Sequence, residues 1–202
     1  MQLTLDMVPI PELKTEDKGN REHQIIDAPK SDSLKLTYHF RYTQKNIELY
    51  KMLKEIAPDI VNIFPELSGQ ILSVRFGELN TCSACWQYDR DEIVFSNVGS
   101  IEWTIPLIAE VLAHETTHAL CSKTHLVPHG EKATDLFMIS RLPIKYLKSM
   151  SNSYLECNIK LAQTHPVLVQ SLANQAIALR NNGLRNYIKW FEEQINQFKK
   201  LC

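Results

Sequence analysis

The stretch that decides the fold is residues 105–121, IPLIAEVLAHETTHALC. These residues are mostly apolar and helix-compatible, and Pro106 suits the first turn of a helix, where a missing backbone N–H removes no hydrogen bond. Within them lies the pattern H-E-x-x-H, formed by His114, Glu115 and His118. Side chains four residues apart lie on the same face of a helix, so the two imidazoles face one point. We therefore predict a helix that presents two histidines to a cleft.

Paired imidazoles of this kind are suited to zinc chemistry. Two ring nitrogens one helical turn apart can hold a zinc ion and leave room for a third protein ligand and a water. Zinc lowers the pKa of such a water to around 7, and Glu115 can accept its proton as a general base without binding the metal. We therefore predict a Zn²⁺ site with His114 and His118 as ligands and Glu115 as the catalytic residue. Two buried structural histidines are the alternative, but H-E-x-x-H arises by chance in such a chain roughly once in a hundred.

The third ligand is expected among the residues that follow the motif. The loop KTHLVPHG, residues 123–130, leads into a helix that begins near Glu131. We favour His129, because a loop histidine bends back toward the preceding helix more easily than a glutamate in a first helical turn. Glu131 is the alternative, and Asp135, one turn further on the same face, is then expected to orient a ligand imidazole without binding the metal. His125 is expected to be a solvated loop residue.

Outside this region, alternating apolar residues predict four strands, at 34–42, 70–76, 84–88 and 93–97. The polar residues 89–92 between the last two strands suit a hairpin. Thr43 suits the N-cap of a helix that Pro58 interrupts, and a further helix runs from Glu131 to near Pro143.

This order of elements resembles the SprT-like zincin metalloproteases over roughly residues 45–140. The resemblance rests on a strand, a hairpin, the H-E-x-x-H helix, a turn and the PHG segment at 128–130. It implies that zinc is bound by His114, His118 and His129, and that the glutamate of the motif is catalytic.

A second resemblance concerns the segment EKATDLFMISRLP, which begins at Glu131. It resembles the gluzincins, including the ImmA/IrrE-like proteases, in which the corresponding stretch provides the third ligand. This resemblance implies Glu131 in place of His129. With either family we expect an α+β zincin-like fold, in which a small, twisted, mostly antiparallel sheet packs on the active-site helix and a helical region follows.

Three regions are expected along the chain. Residues 1–32 form a polar arm, residues 33–148 the zincin-like metallopeptidase domain, and residues 149–202 a helical C-terminal region. In the last region Pro166 indicates a helix start and Gly183 a helix stop. The final helix is expected to bury one face, made of Tyr187, Ile188, Phe191, Ile195 and Phe198.

The net charge is −1, but the charge is unevenly distributed. Residues 141–202 carry nine Lys and Arg and three acidic residues, a balance of +6, which leaves −7 for residues 1–140. Together with Tyr187, Trp190 and Phe191, this basic region is a candidate nucleic-acid surface, and SprT-like proteases often act on DNA-bound proteins. The alternative is that the cations lie on solvated helix faces and the aromatic residues in the core.

The five cysteines are few and odd in number, which is typical of reduced thiols in a cytoplasmic protein. Cys82 and Cys85 form a C-x-x-C without a second pair, so we interpret them as free thiols near an edge strand rather than as a zinc knuckle. No apolar run approaches the roughly 18 residues that span a bilayer. The first residues, MQLTLDMVPI, do not have the pattern of a secretory signal. We expect a cytoplasmic protein without membrane contact.

The predicted function is that of a zinc-dependent intracellular endopeptidase acting on a protein or peptide substrate. A substrate strand is expected to pair with the exposed edge of the hairpin. The oxyanion of the tetrahedral intermediate also needs a hydrogen-bond donor, and His125, Tyr146 and Tyr154 are candidates. Two other functions stay open. One is a catalytically inactive binding or regulatory module stabilised by zinc, and the other is a nucleic-acid-associated protein that acts through its basic helical region.

Overall fold

The computed structural model describes residues 23–26, 33–79, 82–98, 101–151, 153–155 and 159–200. The described residues form strands β1 (His23–Ile26), β2 (Lys35–Phe40), β3 (Ile71–Gly77), β4 (Ala84–Gln87) and β5 (Glu92–Ser96). They also form helices α1 (Gln44–Val61), α2 (Ile105–Thr124), α3 (Glu131–Arg141), α4 (Ile144–Leu147), α5 (Ile159–Thr164), α6 (Pro166–Asn181) and α7 (Tyr187–Lys199), with a 3-10 turn at Pro65–Leu67.

The five strands form one mixed sheet in the order β1-β2-β3-β5-β4. β2, β3 and β5 run parallel to one another, while β1 and β4 pair antiparallel with β2 and β5 at the two edges. The α+β class and the β4–β5 hairpin are confirmed, but the expectation of a mostly antiparallel sheet is wrong. The reason is that α1 crosses over between β2 and β3, and a helical crossover of this kind joins parallel strands.

Helix α1 supports one side of the sheet. It begins as predicted, with the hydroxyl of Thr43 accepting the backbone N–H of Asn46 at 3.2 Å. The predicted interruption at Pro58 is wrong, because the helix continues past this residue. Pro58 removes one backbone donor near the end of the helix. The buried side chains of Ile56 and Ile60 keep this last turn in the core.

One apolar core joins the sheet to the helices. β3 buries every second residue, and the buried face of the sheet packs on α1 and α2. α6 and α7 pack on α3. The predicted face of the final helix is confirmed, since Tyr187, Phe191 and Ile195 are buried and Ile188 and Phe198 pack against the core. The C-terminal helices therefore share the core of the preceding residues.

The predicted arm, residues 1–32, lies mostly outside the described residues. The exception is β1, which pairs with β2 and places His23 opposite Phe40, so this part of the arm extends the sheet. Of the helices within the described ranges, none combines the length and apolar character that crossing a bilayer requires.

An ion pair ties the end of α3 to the turn that follows α1. The guanidinium of Arg141 donates to both carboxylate oxygens of Glu66, at 2.8 and 2.9 Å, and to the carbonyl oxygen of Ile63 at 3.2 Å. These hydrogen bonds hold the pKa of Glu66 below its ordinary value, although partial burial opposes the shift. The pair helps to fix the direction of α3, which carries two residues of the site described below.

Glu66→Gln should therefore lower the free energy of unfolding near pH 7, by up to about 1 kcal/mol. A carboxylate with a lowered folded-state pKa stabilises the fold above its unfolded pKa and loses this contribution as the pH falls through the folded value. The difference between variant and wild type should thus shrink below pH 4.5, the ordinary pKa of the group. Urea denaturation from pH 3 to pH 7 measures it. Glu55→Gln, at an exposed position of α1, is the control; a difference for Glu66→Gln that does not change with pH would contradict the prediction.

Candidate metal centre

Helix α2 positions the two histidines. The hydroxyl of Thr104 accepts the backbone N–H of Leu107 at its start. At its end His125 adopts a left-handed conformation, with φ 57°, and its N–H bonds to the carbonyl of Cys121. The predicted helix is confirmed and runs three residues further, to Thr124, than the predicted 105–121. His114 and His118 lie on one face with ring centroids 4.9 Å apart.

Helix α3 brings a carboxylate to the same point. Gly130 precedes the helix with φ 116°, in the region that favours glycine, and Glu131 is its first residue. One carboxylate oxygen of Glu131 lies 3.0 Å from Nε2 of His114 and 3.3 Å from Nε2 of His118. The two Nε2 atoms are 3.2 Å apart.

The hydrogen bonds of the two imidazole rings leave the lone pair of each Nε2 directed toward the space between the rings and the Glu131 carboxylate. Nδ1 of His114 lies 2.9 Å from a carboxylate oxygen of Asp135, which as a carboxylate only accepts, so Nδ1 carries the proton. Nδ1 of His118 lies 3.4 Å from the hydroxyl oxygen of Thr134. That hydroxyl donates to the carbonyl of Gly130 at 3.2 Å, so it accepts from the ring. Each Nε2 is therefore an available metal donor.

The three donor atoms fit a zinc ion. In a tetrahedral zinc site with bonds of about 2.0–2.2 Å, neighbouring ligand atoms are about 3.3–3.6 Å apart. The observed separations among His114, His118 and Glu131 are 3.0, 3.2 and 3.3 Å. Two imidazoles and one carboxylate are also a donor set that zinc takes in catalytic sites. The triangle therefore has the size and the chemistry of three of the four corners of such a site.

The third residue of the group is Glu131, the alternative ligand that the sequence left open. His129, which the sequence favoured, has its Nδ1 3.4 Å from the thiol sulfur of Cys121 and does not join the group. Because α2 extends beyond its predicted end, the following loop carries His129 past His118, and the first turn of α3 reaches the pair instead. The structure thus brings Glu131 rather than His129 to the two histidines. His125 is exposed and caps α2.

Asp135 links the site to a third segment of the chain. Its side chain is almost fully buried, and one oxygen accepts the proton of His114 Nδ1. The other oxygen accepts the hydroxyl of Ser153 at 2.7 Å and the backbone N–H of Tyr154 at 2.5 Å. A carboxylate on the far nitrogen of a metal-binding imidazole fixes the ring and raises its basicity. The same carboxylate holds residues 153–155 beside the histidines.

Two adjoining cavities flank the donor atoms. Their volumes are about 320 and 260 Å³, and His114, Glu115 and Tyr154 line both. Tyr154 is 57 % exposed, and the centroid of its ring lies 6.0 Å from that of His114. The edge strand β4 and the residues before it form the opposite wall, and they include Cys82, a free thiol.

Glu115 is a buried carboxyl at the floor of this cleft. Burial, reinforced by the negative charge of Glu131, raises its pKa to about 7. A charged His114 and a hydrogen bond from the backbone of Trp86 act in the opposite direction. A carboxyl whose pKa lies near neutrality can both take up and release a proton there.

The two histidines have pKa values that move apart. Burial acts to lower the pKa of His114, but the hydrogen bond and charge of Asp135, with the charges of Glu115 and Glu131, outweigh it and raise the value. Burial and the neighbouring His114 lower the pKa of His118. A neutral imidazole is the form that binds a metal, so the lowered pKa of His118 favours binding.

The cleft also contains residues that the H-E-x-x-H pattern does not predict. Glu110, 6 % exposed, lies one helical turn before His114, and one of its oxygens accepts the backbone N–H and the hydroxyl of Ser151, at 2.9 and 3.1 Å. Helical spacing alone would have placed Glu110 on the face of the motif. Nothing in the sequence indicates Ser151 or Tyr88, which reach the cleft through tertiary packing.

Other candidates from the sequence lie elsewhere. The hydroxyl of Tyr146 donates to Asp59 at 2.8 Å, away from both cavities. Cys82 and Cys85 are free thiols, and they belong to no group of potential metal ligands within the described residues. In the basic C-terminal region Tyr187 is buried and therefore is not presented for stacking on a nucleic-acid base.

Removal of the third donor separates the two ligand assignments. Glu131→Ala should lose bound zinc during dialysis, because only two protein donors remain, whereas His129→Ala should retain about one zinc per chain. Metal analysis after equilibration with Zn²⁺ measures this, with circular dichroism as the check on folding. If His129→Ala emptied the site and Glu131→Ala did not, the assignment of Glu131 would be refuted.

Comparison of the chain with protein-family models, with curated proteins and with solved structures found no match. The chemistry of the site therefore has to come from its own geometry. Within the part of the chain that the structure describes, His114, His118 and Glu131 form a group that can bind a metal ion.

Proposed function

We propose that this chain is a zinc-dependent endopeptidase. The observation that carries the proposal is the triangle of donor atoms from His114, His118 and Glu131. This triangle borders a cavity that is also lined by the buried residue Glu115. Three protein donors, the number found in the described part of the chain, leave one coordination position for chemistry, as in catalytic rather than structural zinc sites. A buried carboxyl next to the donors, able to exchange a proton near neutral pH, is the further group that peptide hydrolysis needs.

In this proposal each side chain has a defined task. Zinc held by the three donors would act as a Lewis acid toward a peptide carbonyl and would acidify a water. The Glu115 carboxylate takes a proton from the water while the oxygen of that water attacks the carbonyl carbon. The protonated carboxyl then gives that proton to the amine nitrogen as the C–N bond breaks. Asp135 keeps the proton of His114 on Nδ1 throughout, so the lone pair of Nε2 stays available to the metal.

A polypeptide substrate suits the shape of the cleft. β4 pairs with β5 on one side only among the described strands, and residues on and just before β4 line both cavities. An extended segment can add to such an edge through main-chain hydrogen bonds. The two cavities, both bordered by His114, would then receive side chains on the two sides of the scissile bond.

Tyr154 is the best placed of the three candidate oxyanion donors. His125 caps α2 and Tyr146 is bound to Asp59, whereas Tyr154 lines both cavities. The hydrogen bond from the backbone N–H of Tyr154 to the Asp135 carboxylate fixes the position of this segment. We propose that its phenol donates a hydrogen bond to the developing oxyanion.

The ligand set supports a gluzincin-like over a SprT-like relationship, because Glu131 rather than His129 accompanies the histidine pair. It also supports catalysis over the inactive-module alternative, since the group has three members among the residues that the structure describes, whereas four protein ligands close a structural site. Among the residues of the basic region, Arg141 and Lys145 are paired with Glu66 and Asp59. Binding of nucleic acid and a cytoplasmic location stay predictions.

Glu115→Gln is the direct test of the catalytic assignment. The amide cannot accept the proton of the attacking water, so peptide hydrolysis should fall by about 10²- to 10⁴-fold, while zinc content stays at the wild-type level. Cleavage of a casein or mixed-peptide substrate, followed by mass spectrometry, measures the loss. Wild-type rates in a zinc-loaded Glu115→Gln protein would exclude the mechanism.

The second test addresses Tyr154. Tyr154→Phe removes one hydroxyl and should lower kcat by about 10²-fold with a small change in KM, because the hydrogen bond forms only with the oxyanion. Tyr146→Phe is the matched control, since its hydroxyl bonds to Asp59 outside the cleft and its loss should leave kcat near wild type. Equal kcat values for Tyr154→Phe and wild type would remove Tyr154 from the mechanism.

A further inference from the structure

A further cavity, of about 390 Å³, adjoins the metal centre. Glu131 and Tyr154 border it, and the same two residues border the smaller cavity beside the donor atoms, so the two spaces share an edge. Its other described lining residues belong to the loop at 128–130, the first turn of α3 and the first turn of α7. This cavity, here called the α3–α7 groove, therefore continues the cleft past the third metal donor.

The surface of the α3–α7 groove is almost wholly apolar, whereas the two cavities at the donor atoms have mixed linings. Ala133 and Tyr187 are buried members of its lining, and Pro128 and Ile188 are half-buried. Apolar surface that stays in contact with water is unfavourable, and an apolar depression beside polar residues is typical of a place where another molecule binds. The groove therefore favours an apolar occupant.

The charged and polar side chains at the edge of the groove are held by other contacts. The ammonium of Lys132 donates to Glu192 at 2.8 Å. Nδ1 of His129 lies 3.4 Å from the sulfur of Cys121, and the carboxylate of Glu131 lies at the two histidines of the metal centre. A polar group that entered the groove would lose hydration with little compensation, whereas an apolar group gains by leaving water.

The position of the groove indicates which molecule supplies the apolar group. Glu131 is both a metal donor and a wall of the groove, and Tyr154 separates the groove from the smaller cavity. An extended chain advances by about 3.3 Å per residue. A polypeptide bound at the metal therefore reaches the groove within a few residues of the bond that is cleaved.

We infer that the α3–α7 groove is a substrate subsite that receives a large apolar side chain, such as leucine, a few residues from the scissile bond. Ile188 is its specificity-determining residue, because it provides the largest aliphatic side chain of the described lining. The inference rests on the proposed peptidase function. It names the substrate class as polypeptides with an apolar residue at that position, and it gives α7 a part in substrate recognition but none in bond breaking.

Zinc-directed peptide hydroxamates test the inference without relying on turnover. The compounds carry three residues on one or the other side of the hydroxamate, with leucine or serine at one position at a time. Calorimetry on the zinc-loaded protein gives, for each position, the ratio of the serine Kd to the leucine Kd. At the position that reaches the groove this ratio should be about ten, the scale expected for burying most of a leucine side chain.

Substitutions in α7 assign the preference to the groove. Ile188→Asn places an uncharged polar group there, and the ratio at that one position should fall to about one, whereas Ile188→Leu should keep it. Val167→Asn is the matched control. Val167 is the second residue of α6, as Ile188 is of α7, and it is exposed and borders none of the three cavities. Zinc content and melting temperature check the folding of each variant.

A measurement on the wild type needs no variant. A hydroxamate with a photoreactive leucine analogue at the selected position should crosslink, on irradiation, to the lining residues of the groove, which mass spectrometry of the digested protein identifies. Crosslinks confined to other parts of the chain would overturn the inference.

The outcomes separate this inference from the proposed function. If the ratio changes at no position in Ile188→Asn, or changes equally in Val167→Asn, the groove is not a subsite, while the metal centre stands. If the wild type is a dimer that Ile188→Asn dissociates, a second copy of the chain occupies the groove, and the inference is also overturned. If every hydroxamate fails to bind the zinc-equilibrated protein, the metal centre itself is refuted, and the inference with it.

Discussion

Asp135 is 2 % exposed, and its carboxylate joins three parts of the fold. It belongs to α3, it accepts the ring proton of His114 on α2, and its second oxygen holds the segment at Ser153 and Tyr154. A buried carboxylate is unfavourable unless hydrogen bonds compensate for its lost hydration, and here three donors do so. The packing of α2 on α3 and the position of the cleft wall therefore depend on the same side chain, and the triangle of metal donors depends on that packing.

The rest of the cleft follows from this constraint. Because residues 153–155 are held against the histidines, Tyr154 borders both cavities, and the Ser151 contact to Glu110 continues the wall toward the start of α2. Carboxyl groups line the resulting space, which suits a cation at the centre. Burial, reinforced by the charge of Glu131, raises the pKa of Glu115 above that of a solvated glutamate.

Much of the site could be predicted from residues 105–121, because the i, i+4 spacing of His114 and His118 is a property of one helix and needs no tertiary information. The choice between His129 and Glu131 was different. It depended on where α2 ends, and element ends are the least certain part of a sequence prediction. Thr124 continues the helix and His125 caps it, which moves the loop past the pair. The parallel pairing of β2 with β3 and the contact between Ser151 and Glu110 also required knowledge of packing, since periodicity assigns an element but not its neighbour.

X-ray absorption spectroscopy of the zinc-loaded, full-length protein would test the ligand triangle most directly. The spectrum should require two imidazole nitrogens and carboxylate or water oxygens at about 2.0–2.2 Å, with no sulfur scatterer. A sulfur shell at about 2.3 Å, which would place a cysteine on the metal, would contradict the arrangement on which the proposed function is built.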